Sequence, residues 1–173
     1  MSTDYNTIEQ RTRNRDQAGI LDLSKLDAAE VIDPLNTLIA NYSVHYQKLR
    51  NFHWNVTGGD FFDLHEKFEE QYNFIKVAID VLAERIRVFG QTPLSTMKDY
   101  LQVSEINETS TDLAPLEMVS EVLRDYETMV KHTTNAIEVT QKIGDYATED
   151  ALKGYLSTIE KNHWMFTAFV TGK

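Results

Sequence analysis

The chain has no cysteine among its 173 residues. A disulfide framework and a thiolate metal site are therefore both excluded. Proline occurs three times and glycine seven times, so few breakers interrupt the chain and long helices are expected. No run of about 18 apolar residues occurs, which argues against a membrane-spanning helix. Basic residues are in deficit, 17 Lys and Arg against 27 Asp and Glu, a net charge of -10 at pH 7. Such a surface disfavours passive adhesion to DNA or to anionic membrane, both of which call for positive charge. The opening residues, MSTDYNTIEQRTRNRDQ, are polar and carry acids. They resemble neither a secretory signal nor a transit peptide, so a soluble, cytoplasmic protein is expected.

What is present is helical periodicity. Residues 1–32 show little of it and are expected to form a flexible arm, with a small helix or packed segment over Leu21 to Val31. From there on a single domain, residues 33–173, is expected. Asp33-Pro34 suits a helix start, Asp as N-cap and Pro in the first turn. Leu35, Leu38, Ile39, Tyr42, Tyr46, Leu49 and His53 then recur at three- and four-residue spacing. Gly58-Gly59 ends this helix. Asp60 is placed to cap a second, which carries Leu64, Phe68, Tyr72, Ile75, Ile79, Leu82 and Ile86 and stops at Gly90. A long connection, Gln91 to Ala114, holds a short helix expected over Pro93 to Leu101. A third long helix starts near Pro115, carries Val119, Leu123, Tyr126, Met129 and Val130, and ends near Gly144. Thr148 is expected to cap the fourth, which carries Ala151, Leu152, Tyr155, Ile159, Trp164, Phe166 and Phe169 and ends at Gly172. Two long helices, a crossover and two more long helices define an all-α, ferritin-like four-helix bundle.

One stretch concentrates metal-ligand chemistry. His53, His65, Asp80 and Glu84 combine imidazole with carboxylate, a mixture suited to a first-row transition metal such as iron. His65 and Glu69 share a helix face, being four apart, and Asp80 and Glu84 repeat that geometry further on. Asp80 lies fifteen residues after His65, about 22 Å along a helix, whereas metal–ligand bonds are about 2 Å. The two pairs therefore cannot hold one ion within one straight helix. Either another helix of the same chain completes each pair, or two copies of the second helix lie antiparallel across a two-fold axis near residues 74–75. The first solution normally uses two Glu-x-x-His motifs, and only Glu160-x-x-His163 is present. The second creates two equivalent sites, because a two-fold contact is self-complementary. A plainer account also fits: carboxylates on a long helix form its solvated face, Asp80 pairs with a base, Glu84 lies beside Arg85, and the histidines are packed and hydrogen-bonded.

The run LRNFHWNVTGGDFFDLHEKFEEQY, followed by IDVLAERIRVFGQTP and later by GDYATEDAL and IEKNHWMFTAF, resembles the signature of the Dps family. These are mini-ferritins, named for DNA protection in starved cells, and the resemblance spans about residues 33–172. It implies twelve four-helix subunits in a hollow shell, with ferroxidase sites between two-fold mates. By residue-wise matching, His53, His65 and Glu69 would come from one chain and Asp80 and Glu84 from the other. Fe(II) would be oxidised there, preferentially by hydrogen peroxide, and ferric mineral stored in the cavity, which protects against hydroxyl-radical chemistry. Trp54, next to a ligand, would be a nearby electron donor or a packed core residue. Glu66, Glu69 and Glu70 match positions where mineral growth starts, or form a solvated acidic face. Asp145, Glu149 and Asp150 fall near an iron-entry pore, or simply cap a helix; Tyr146 stands where relatives can carry an acid. His45 is an outside candidate for an auxiliary ligand, His132 has no assigned role, and His163 is expected to pack.

The family name also suggests a nucleoid DNA-binding protein with incidental iron. The residues argue for weak or absent DNA binding. Residues 1–30 set Arg11, Arg13, Arg15 and Lys25 against Asp4, Glu9, Asp16, Asp22, Asp27 and Glu30, and only Lys173 follows Gly172. A third possibility is a structural cage with a degenerate site, against which the intact ligand set speaks.

Overall fold

In a computed structural model that describes residues 29–172, apolar positions spaced three and four apart build four long helices and one short one. They are α1 (Ala29–Asn55), α2 (Phe61–Val88), α3 (Met97–Val103), α4 (Pro115–Ile143) and α5 (Tyr146–Thr171). α1 pairs with α2 and α4 pairs with α5 as hairpins, α1 also lies along α4, and α3 rests on α1. This is the expected ferritin-like bundle with a short helix in its crossover. The core runs along the shared axis: Leu35, Leu38, Ile39, Tyr42, Leu49 and Phe52 meet Leu64, Phe68, Ile75, Leu82 and Ile86. Met118, Val119, Val122, Tyr126 and Met129 close it with Leu152, Ile159 and Phe166.

The boundaries differ from expectation in instructive ways. α1 runs back to Ala29, so Asp33-Pro34 lies inside it rather than starting it. Val31 is fully buried one turn before Leu35, and that burial extends the helix. Pro34, the sixth residue of α1, has no N–H to offer the carbonyl of Glu30, and the burial of Val31 outweighs that lost bond. The short helix starts at Met97 rather than Pro93, because the Thr96 hydroxyl accepts from the Asp99 N–H and supplies a true N-cap. α5 is capped by Asp145, not Thr148. The Asp145 carboxylate accepts the Thr148 N–H at 3.3 Å. Trp164, expected on the apolar face of α5, is 67% exposed. It stands five residues past Ile159, roughly 140° around the helix from it. The arm of residues 1–28 and its three arginines lie outside the described residues.

Turn chemistry holds the hairpins. Gly58 has φ +94 between α1 and α2, and Gly144 has φ +76 after α4, a backbone region that disfavours any Cβ. The crossover is pinned to α1 by two asparagines. Asn36 Oδ1 accepts the Leu94 N–H at 2.9 Å. Buried Asn41 Oδ1 accepts from the N–H groups of Glu105 and Ile106 and from the Ser104 hydroxyl.

The bundle interior also holds charge. Lys48 Nζ donates to Asp125 at 2.8 Å and to Glu121 at 3.3 Å, and His45 Nδ1 lies 2.8 Å from the other Asp125 oxygen. Both Lys48 and Asp125 are buried, so each balances the other's desolvation. Tyr126 donates to Gln71 at 3.0 Å.

Candidate metal centre

The α1–α2 turn brings two histidines together. His53 lies in the last turn of α1 and His65 in the first turns of α2. Their rings stack with centroids 3.8 Å apart and planes 22° apart. His53 Nδ1 donates to the His65 carbonyl and His65 Nδ1 donates to the His53 carbonyl, each at 2.8 Å. A carbonyl only accepts, so both protons sit on Nδ1. In the neutral rings that leaves both Nε2 lone pairs free to coordinate. Phe61 stacks on the outer face of His65 at 5.0 Å. The imidazoles are thus oriented by the backbone of the very hairpin that carries them.

Glu69, one turn after His65 and exposed, completes a cluster. The candidate ligand atoms of His53, His65 and Glu69 all lie within 4.8 Å of one another. Ligands bonded at about 2 Å can stand about 4 Å apart, so small side-chain adjustments close this group on one cation. Asp80 and Glu84 are exposed further along α2 and are not part of this cluster. The same-chain solution is not built. Glu160 faces solvent, and the bundle interior offers Lys48 with Asp125 instead. Two histidines, His53 buried and His65 half-buried, with exposed Glu69 make a candidate half-site with room for further ligands.

The other singled-out residues are placed as follows. Glu66 and Glu70 are exposed beside Glu69, with Glu70 paired to Lys67 at 2.6 Å. Asp145 is buried, capping α5 and accepting from Arg85 at 2.9 Å. Arg85 also donates to Thr148 at 2.8 Å. Glu149 is buried and bonded by Lys153 and Gln141, which hold its carboxyl below the usual range, Lys153 first. Asp150 is exposed. His45 is fully buried against Asp125 and Tyr126, a packed core histidine rather than a companion to His53. His132 lies 3.1 Å from Glu105, and His163 is half-buried.

Trp54 is not a core residue. It is 57% exposed, carries the Arg50 guanidinium 4.7 Å from its ring, and lines a groove with Met97, Leu101 and Glu108. Besides Phe61, a second aromatic touches the histidine pair, one that helical spacing marks only as core. Tyr72 meets the His53 ring edge-on at 5.4 Å, and burial, with the nearby Glu69 charge, raises its phenol above the ordinary value. Its position three after Glu69 was the available signal.

A model of the ferritin-like domain matches residues 32–172, so the bundle defines this chain as a ferritin-like protein. DNA protection during starvation protein 2 of Bacillus anthracis is 43% identical over 141 residues, 82% of this chain and 97% of that protein. The crystal structure of Dps from Staphylococcus aureus matches with a TM-score of 0.80 at 38% identity, covering 83% of this chain and 97% of that one. A Dps protein from Vibrio cholerae, described as a member of a broad superfamily of ferritin-like diiron-carboxylate proteins, matches with a TM-score of 0.80 at 31% identity, over 84% of this chain and 93% of that one. The chain belongs to the Dps family of mini-ferritins. Among the described residues no helix is long and apolar enough to cross a membrane.

Proposed function

We propose that this protein oxidises Fe(II), preferentially with hydrogen peroxide, at sites shared by two chains, and stores the ferric product as mineral inside a twelve-chain shell in the cytoplasm. The observation that carries this reading is the locked histidine pair with Glu69 beside it. It is an open half-site with two unused Nε2 lone pairs and one carboxylate. Asp80 and Glu84, exposed about 22 Å along the same helix, are the matching half from a two-fold mate. Exposed Trp54, Met97 and Leu101 line one groove, an apolar surface that supports association with another copy.

Each residue then has a part. His53 and His65 bind Fe(II) as neutral imidazoles through Nε2, held in that tautomer by the opposing carbonyls. Glu69, with the partner chain's acids, offsets the cation's charge and favours the ferric product. Few strong ligands keep the site leaky, so iron oxidised there moves on. Glu66 and Glu70 extend the acidic surface onto which it passes. Asp150, exposed at the start of α5, adds negative potential for arriving cations, while buried Asp145 and Glu149 shape that end of the bundle.

Stopped-flow mixing of Fe(II) with peroxide or with oxygen tests the reading. His65→Ala combined with Asp80→Ala is expected to lower the rate at least a hundredfold; a wild-type rate sinks the assignment. The competing reading, a nucleoid-binding protein, predicts a saturable gel shift of duplex DNA by sub-micromolar protein at about 150 mM salt. With a net charge of -10, little or no shift is expected.

A further inference from the structure

A cluster of charge inside the bundle has no part in the chemistry above. α1 contributes His45 and Lys48, three apart and so on one face, and α4 contributes Glu121 and Asp125, four apart. The Lys48 ammonium lies between the two acids, 2.8 Å from Asp125 Oδ1 and 3.3 Å from Glu121 Oε2. His45 Nδ1 donates to the second Asp125 oxygen at 2.8 Å. The other ring nitrogen, Nε2, is buried with no hydrogen-bond partner. A bare polar atom in the core is unfavourable, so the histidine stands there for its bond to the carboxylate and not for its bulk. A plain structural pair of Lys48 with Asp125 needs neither His45 nor Glu121. A metal site uses both. Helical bundles build such sites in the core from carboxylates and histidines on facing helices, and a ligating carboxylate is itself held by a hydrogen bond from a further residue.

We propose that Lys48 is the resident cation of a divalent-metal site in the bundle core, and that its ammonium keeps metal out of the core. Asp125 and Glu121 are the ligands of that site, and His45 orients Asp125. The core site does not depend on the ferroxidase reading. The charges agree with it. Glu121 has a second partner in exposed Arg124, so Lys48 chiefly serves Asp125. Without the ammonium a buried carboxylate faces a half-buried one, and a divalent ion balances the two. The spacing agrees as well. Metal–oxygen bonds are about 2.0–2.2 Å, so carboxylate movements of roughly an ångström close both acids on an ion at the ammonium's place. Lys48 also lines a groove with Gln47 and Asn51, which gives a hydrated ion a path in and leaves room for water to complete its coordination. Ammonium and metal need the same two carboxylates, so each excludes the other.

The test is Co(II) titration, by calorimetry and visible absorption, of full chains carrying His53→Ala and His65→Ala, so that the half-site is silent. With Lys48 in place these chains are expected to take no Co(II) into the core and to keep one urea midpoint with or without it. Adding Lys48→Ala is expected to create one Co(II) site per chain, and a urea midpoint that climbs with Co(II) concentration. Adding Asp125→Asn to that chain is expected to weaken the binding at least tenfold. Lys48→Arg, which keeps a cation, is expected to bind none. In chains with the half-site intact, Lys48→Ala is expected to raise the Co(II) count by one. No added uptake in Lys48→Ala, uptake undiminished by Asp125→Asn, or core binding with Lys48 present overturns the proposal. If Lys48→Ala leaves the chain unfolded, Co(II) is expected to restore its helical circular-dichroism signal, and a chain that stays unfolded in millimolar Co(II) overturns the proposal too.

Discussion

Chains carrying His53→Ala with His65→Ala, co-assembled with chains carrying Asp80→Ala with Glu84→Ala, are expected to recover activity that neither variant has alone. Each parent assembly lacks one half of every site. The reason lies in the helix rise: His65 and Asp80 stand about 22 Å apart on α2, several times the reach of a side chain. A site closed across a two-fold axis takes its histidines from one chain and its acids from the other. In an equal mixture each half is intact in one chain of two, so about one site in four is complete. Peroxide-driven Fe(II) oxidation, followed by ferric absorbance, should reach about a quarter of the wild-type amplitude, with an unchanged rate at each complete site. Co-refolding from denaturant prepares the mixture, and native mass spectrometry verifies that the chains have mixed. Parents mixed without refolding serve as the baseline. If verified mixed assemblies oxidise iron no better than that baseline, the halves do not meet across an axis and the two-chain site is wrong.

Removing Lys48 as Lys48→Met leaves Asp125 buried without its ammonium partner, so urea denaturation is expected to show a loss of about 3 kcal/mol. A loss under 1 kcal/mol means the pair is not buried as described. Asn41→Ala frees the N–H groups of Glu105 and Ile106, at a cost of about 1–3 kcal/mol. Hydrogen exchange at those two amides should quicken while α4 stays protected, and slow exchange there would contradict the clamp. Burial pushes the phenols of Tyr42 and Tyr126 well above their ordinary value of 10.0. Unfolded chains then release these protons first, so stability is intact below about pH 10 and falls as pH rises beyond it. Ultraviolet titration should leave two of the eight tyrosines un-ionised until the protein unfolds; complete ionisation of the folded protein at pH 11 would count against their burial.

Much of the bundle is written locally in the chain. Gly58 and Gly144 punctuate it where positive φ is needed, Pro115 opens α4, and leucines and isoleucines at helical spacing mark the buried stripe. Where the boundaries moved, tertiary burial outweighed a local signal. Val31 drew α1 back past Pro34, while Asp145 rather than Thr148 took the cap because Arg85, 60 positions away, meets it there. Trp164 departs from the expected apolar face because an aromatic near a helical stripe is not on it unless its angle agrees.

The sequence by itself determined the helix count, the exclusion of thiolate chemistry, and the separation of the candidate ligands into two groups along α2. Rise per residue is a constant of the helix, so separating His65 from Asp80 needed no coordinates. Only the tertiary structure decided what surrounds each ligand. Nothing in the spacing foretells that His53 and His65 bond each other's carbonyls, or that Tyr72 meets His53 and Tyr46 edge-on. Nor does it foretell that His45 serves Asp125, 80 positions away, instead of a metal. Periodicity assigns a residue to a face, but which faces meet, and at what depth, is set by packing between helices distant in the chain.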